Sequence, residues 1–177
     1  MRKTASRFMP PVAVRPPLPW SARCVLVVMA VAFMAVFWTH PVGLGGALLA
    51  LGSLGAVLSR REALRLARMA QGRAGESICQ FARSLDCRRV DTWVVRAVYE
   101  EVQRSLSEAV TVPLRVTDHL QRDLQLDAED LDDLIADMAQ RAQRCLAHTS
   151  GNPLFGKVTT VGDLVEFLQA QPRLVGG

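Results

Sequence analysis

Residues 24–59 read CVLVVMAVAFMAVFWTHPVGLGGALLALGSLGAVLS, 36 consecutive positions without a charge between Arg23 and Arg60. One helix of that length would measure roughly 54 Å, against about 30 Å of bilayer hydrocarbon, a mismatch too large for tilt to absorb. The middle of the run, Thr39-His40-Pro41-Val42-Gly43-Leu44-Gly45-Gly46, carries the Pro and Gly that can reverse a chain. The stretch therefore predicts a transmembrane hairpin of two spans, 20–39 and 42–59. Trp20 and Trp38 bracket the first span and Arg23, Arg60 and Arg61 flank the pair, so these five are the expected membrane-interface residues. Arg2, Lys3, Arg7, Arg15 and Arg23 precede the first span, and Arg60, Arg61, Arg65 and Arg68 follow the second, while the turn has no base. The positive-inside rule then predicts both termini in the cytoplasm.

Outward from this stretch the chain divides by charge. Residues 1–73 hold ten Lys+Arg and one acid, and residues 74–177 hold eleven and sixteen, which together make the net +4 of the 177 residues. A basic, apolar front and an acidic rear exclude a general nucleic-acid binder, in spite of a pI near 9.2. Half of the residues are hydrophobic and the mean hydropathy is +0.16, which excludes global disorder. Four cysteines, Cys24, Cys79, Cys87 and Cys145, are too few and too scattered for a disulfide scaffold. No clear small-residue cleavage site follows the first apolar half, and a second apolar span does, so an uncleaved anchor is expected. Nineteen Arg against two Lys point to a GC-rich bacterial genome, hence to a bacterial cytoplasmic (inner) membrane and a multi-pass protein.

The expected organisation is a basic Pro-rich cytoplasmic tail (1–19), two transmembrane helices (20–59), a basic juxtamembrane linker (60–75), a helical soluble domain (76–172) and a short tail (173–177). In the linker a short helix should end at a hinge of Gly72 and Gly75, with Arg61, Arg65 and Arg68 on one stripe fit for anionic headgroups. The small residues Gly45, Gly46, Gly52, Gly55 and Ala56 would allow close packing; the first span is the expected neighbour, and another copy of the chain, a homo-oligomer, the alternative.

From residue 76 onward the apolar spacing is helical and all-α. Ile78, Phe81, Ala82 and Leu85 form a short stripe. Val90, Trp93, Val94, Ala97, Val98, Val102 and Leu106 form a longer one, whose polar side should pair Arg96 and Arg104 with Glu100, Glu101 or Glu108. After a loop with Pro113, Asp127 is the expected N-cap of a helix whose buried face is Leu131, Leu134, Ile135, Met138, Ala142, Cys145 and Leu146. A turn at residues 148–153 leads to a last helix capped by Thr160 with Asp163 three residues on.

These pieces, over about residues 90–170, resemble an acyl carrier protein: a first helix, a long loop, a second helix announced by Asp-Leu-Gly-x-Asp-Ser-Leu, and a last helix opening Thr-Thr-Val. The matching segments are Asp123-Leu124-Gln125-Leu126-Asp127-Ala128-Glu129-Asp130-Leu131-Asp132 and Lys157-Val158-Thr159-Thr160-Val161-Gly162-Asp163-Leu164-Val165. The resemblance implies a small acyl-carrier-like bundle. The family's phosphopantetheine serine aligns with Ala128, or with Asp130 in the alternative register, so no cofactor is expected. In carrier proteins the acidic second helix docks on basic patches of partner enzymes; the resemblance thus implies Glu129, Asp132, Asp133 and Asp137 as partner-binding residues. A solvated helix face is the plainer reading of the same acids.

Catalytic constellations are absent. Asp118-His119 are adjacent and lack a placed nucleophile, so they are expected as loop structure. Cys145 and His148 could share a helix face, yet no second pair completes a metal site. Cys79 and Cys145 are expected in the core, and Cys87, beside Arg88 and Arg89, is the thiol with a basic setting. The expected protein is a membrane-anchored, non-catalytic docking module with the lipid bilayer and a basic protein surface as partners. An accessory protein or enzyme of lipid or acyl metabolism, with a site formed only with a partner, is the alternative.

Overall fold

A computed structural model of the chain describes residues 9–10, 19–39, 41–86, 89–107 and 110–174. Among them the chain forms six α-helices and no strand: α1 (Trp20–Thr39), α2 (Pro41–Gly72), α3 (Ile78–Arg83), α4 (Thr92–Leu106), α5 (Ala128–Arg141) and α6 (Val161–Ala170). The all-α expectation holds. The described residues fall into two units, one of residues 19–65 and one of residues 66–174 with Met9 and Pro10.

In the first unit, α1 and the first part of α2 are each long and apolar enough to cross a bilayer, and α1 buries no residue. Trp20 and Trp38 are both 79% exposed. The expected turn over residues 39–46 is shorter than the composition suggests. Pro41 already opens α2, where its fixed φ suits a first helical residue, so Gly43, Gly45 and Gly46 are helical. His40 lies outside the described residues. A Cβ placed on Gly45, Gly46, Gly52 or Gly55 would meet nothing within 4 Å, so the expected packing of these glycines on the first span is not found. Nor does the second helix stop at Ser59: α2 runs on unbroken to Gly72, because residues 60–71 hold neither Gly nor Pro. Gly75 then takes a left-handed φ of +89°, as the hinge expectation required. Along α2, Arg65 of the Arg61, Arg65 and Arg68 stripe turns back to Glu62 at 2.5 and 2.9 Å.

In the second unit α4 is the central element, with α5 and α6 packed against it and α3 over one end. Val94, Ala97, Val98 and Val102 are fully buried on α4, and Tyr99 meets the Phe81 ring at 5.2 Å between centroids. From α6 come Val161, Leu164, Val165 and Leu168, all fully buried. The α4–α5 loop also contributes: Val112, Leu114, Leu120, Leu124 and Leu126 are buried, which fixes its path. Leu66 is buried and Met69 packs on the core, so this unit begins inside the segment expected as a linker. Met9 is half-buried against the same core. At the α6 entrance Gly162 donates its N–H to the Val116 carbonyl at 2.9 Å, and a Cβ there would sit 2.5 Å from Val116 Cγ1. Only glycine permits that approach.

Candidate functional site

The candidate site is the outer side of α5. Asp127 caps the helix by accepting from the Asp130 N–H at 2.9 Å, as its position predicts. Glu129, Asp132 and Asp133 are exposed and Asp137 is half-buried, with Glu129, Asp133 and Asp137 four residues apart in turn and Asp132 beside them on one broad arc of the helix. The inner side is shallower than expected: Met138 and Ala142, with Ala139, are buried, while Leu131, Leu134, Ile135, Cys145 and Leu146 are half-buried.

Arg141 is buried and reaches 40 residues back to α4. Its guanidinium bonds Glu100 at 2.5 Å and Glu101. Arg96 bonds Glu100 at 2.6 Å and Arg104 bonds Glu101, the α4 pairings expected from spacing. Burial pushes the Glu100 carboxyl up, but hydrogen bonds from Arg141 and Arg96 outweigh it and hold the group below the usual range. A second buried pair joins Arg144 to Asp91 at 3.0 Å, with Arg173 on the same carboxylate. A third joins Arg73 to Asp118 through two bonds of 2.7 Å. The Arg115 N–H adds another bond to Asp118 at 2.8 Å.

These pairs give α5 its electrostatic character. Glu76, Asp91, Glu100, Glu101, Asp118 and Asp123 each face an arginine. Glu129, Asp130, Asp132 and Asp137 of α5 face none among the described residues, nor do Asp127 at its cap and Glu166 on α6, so most of the uncompensated negative charge gathers along α5. Asp133 is engaged in a polar interaction of its own and is not among them.

Asp118-His119 is loop structure, as expected. The Asp118 carboxylate is consumed by Arg73 and Arg115, while His119 Nδ1 accepts from the Arg122 N–H at 3.3 Å. Helix α5 ends at Arg141, so Cys145 and His148 share no helix face, and the described residues hold no group of three metal-ligating side chains. Cys79 corrects another expectation. It is exposed, because α3 is a six-residue helix that turns Phe81 inward and leaves Cys79 on the rim of a 220 Å³ apolar cavity with Ile78, Ala82 and Val95. Cys87 lies outside the described residues, as does Glu108.

Ala128 is the first residue of α5, exposed at the mouth of a cavity of about 190 Å³ with Leu126, Leu131 and Val158. Neither it nor the exposed Asp130 offers a hydroxyl, and the hydroxyl in that lining, Thr159, donates to Asp163 at 2.8 Å. The donor set does not fit a phosphopantetheine ester. Trp20, Arg23, Trp38, Arg60 and Arg61 are all exposed, at or near the ends of the apolar stretches. The buried Arg141 and Arg144 and the half-buried Arg73 were not legible as structural residues; the one signal was their place on or near apolar stripes. No family model, curated protein or solved structure matches the chain.

Proposed function

We propose that this chain is a non-catalytic docking module held in the bacterial cytoplasmic membrane by α1 and α2. Its termini are both cytoplasmic, and a serine-less, acyl-carrier-like bundle presents the acidic α5 face to a basic protein surface. The observation that carries the reading is the contrast in pairing: Glu129, Asp132 and Asp137 lack the arginine partners that compensate most other carboxylates of the unit. Acids left in water cost little and attract a basic partner over a Debye length of about 8 Å at physiological salt, speeding encounter and fixing orientation. The two-span topology is supported by Met9, which precedes α1 yet belongs to the unit that follows α2. That contact favours both flanks of the spans on one side. The test is purification of the full chain in mild detergent at low salt. Wild type should carry a partner with a basic surface, and Glu129→Gln/Asp132→Asn/Asp137→Asn should lose it. Retention of the same proteins by the triple variant would overturn the docking role.

A further inference from the structure

The apolar stripe of α3 is only partly covered. Phe81 turns into the core, whereas Ile78, Ala82 and Leu85 stay half-buried. With Val90 and Val95 these three line the 220 Å³ cavity beside α4. An apolar cavity of about 150 Å³ takes one benzene, so 220 Å³ takes a chain of about eight carbons. The apolar lining is aliphatic throughout, with no aromatic ring to stack on a flat ligand. Two polar residues of α4 complete it, Thr92 and Arg96, four residues apart and so on one helix face. The Thr92 hydroxyl has no hydrogen-bond partner among the described residues. Arg96 keeps 39% of its side chain exposed. It bonds Glu100, which Arg141 shares, and Arg141 and Arg104 both bond Glu101. Three guanidinium groups thus meet two carboxylates, and one positive charge is left over. The sequence around the cavity has the same sign: residues 78–96 hold four arginines and two aspartates, within a stretch, 74–177, of eleven bases and sixteen acids. Both aspartates are already engaged, Asp86 by Arg89 and Asp91 by Arg144 and Arg173.

We propose that this cavity binds a medium-chain aliphatic carboxylate. Arg96 and Thr92 hold the carboxylate, whose planar oxygens match guanidinium and hydroxyl donors, and the tail lies along Ile78, Ala82, Leu85, Val90 and Val95. The site shares no residue with the acidic α5 face or with the cavity at Ala128, and it stands apart from the docking reading.

Equilibrium dialysis of sodium octanoate against the full chain in phosphatidylcholine nanodiscs, with the uptake of protein-free nanodiscs subtracted, tests this. One equivalent should bind. From butanoate to octanoate the affinity should rise about fourfold per methylene buried, then level off beyond about ten carbons as the cavity fills. Octanamide, which has no charge, should bind about tenfold more weakly than octanoate, and Arg96→Gln should erase that difference while still binding octanamide. The variant Cys24→Ser/Cys87→Ser/Cys145→Ser keeps the exposed Cys79 at the cavity as a reporter. Octanoate at about ten times its Kd should slow maleimide labelling of Cys79 about tenfold. Uptake no greater than that of protein-free nanodiscs overturns the site. So does an affinity that keeps rising with chain length, the mark of adsorption to the bilayer, or equal binding of octanoate and octanamide, or labelling of Cys79 that octanoate leaves unchanged. No protein partner takes part in these measurements, so failure of the docking reading would not alter them.

Discussion

Arg141 shows what a single side chain decides in this molecule. It is 5% exposed and joins the end of α5 to two adjacent glutamates of α4. Removing one member of a buried pair costs about 3–5 kcal/mol when the other charge is stranded. Here Glu100 keeps Arg96 and Glu101 keeps Arg104, so Arg141→Met should cost about 2–3 kcal/mol, read as a lower melting temperature of the full chain in detergent. The pH dependence follows from the same cluster. Glu100 titrates below its ordinary 4.5 in the folded chain, so its stabilisation is complete above that value and is lost as pH falls through the lower folded value. Melts between pH 7 and pH 3 should therefore decline below about pH 4.5, and Glu100→Gln should be weaker at pH 7 and less acid-sensitive. The pairs within α4 were legible from spacing, but the role of Arg141 was not. An arginine flanked by Gln140 and Ala142 reads as surface, and its partners lie 40 residues away. Gly162 is a similar case, set by a contact with Val116 that no local pattern announces. Gly162→Ala should destabilise by about 1–3 kcal/mol, measured the same way.

Among elements, those whose ends carry polar caps were legible. Asp127 and Thr160 each cap the helix expected of them, the second with Asp163 accepting from the Thr159 and Thr160 N–H groups, and Asp91 caps α4 in the same way without having been expected to. The end of the second apolar helix was not legible. Arg60 marks the end of apolar chain, and polarity was taken for a boundary, but charged residues with high helix propensity continue a helix readily. On α5 the period was right and the depth was not, since Leu134 stands half-buried where Met138 is fully enclosed. Met138→Ala should accordingly cost about 2–5 kcal/mol and Leu134→Ala clearly less. Asp132→Asn should shift stability by less than about 0.5 kcal/mol, because its carboxylate faces water. Equal losses for Met138→Ala and Asp132→Asn would contradict the assigned helix face.

For the whole molecule, the decisive quantity is the number of times the chain crosses the bilayer. The apolar stretches of α1 and α2 each cover about 27 Å at 1.5 Å per residue, close to the hydrocarbon thickness, and neither buries a residue within the span window. Side chains such as Val27, Val28, Met34, Leu49 and Leu51, all about half exposed or more, present apolar surface that a bilayer would cover. An odd number of crossings would put Met9 and the core of residues 66–174 on opposite faces of a membrane. Their shared packing favours the proposed even number. On the proposed two-span reading, bases on both flanks and none between the spans would, by the positive-inside rule, send both flanks to the cytoplasm. A reporter that fluoresces only when folded in the cytoplasm should be active when fused after Gly177, and an export-dependent phosphatase at the same position should be silent. An active phosphatase there would reverse the topology and set the acidic α5 face on the outside.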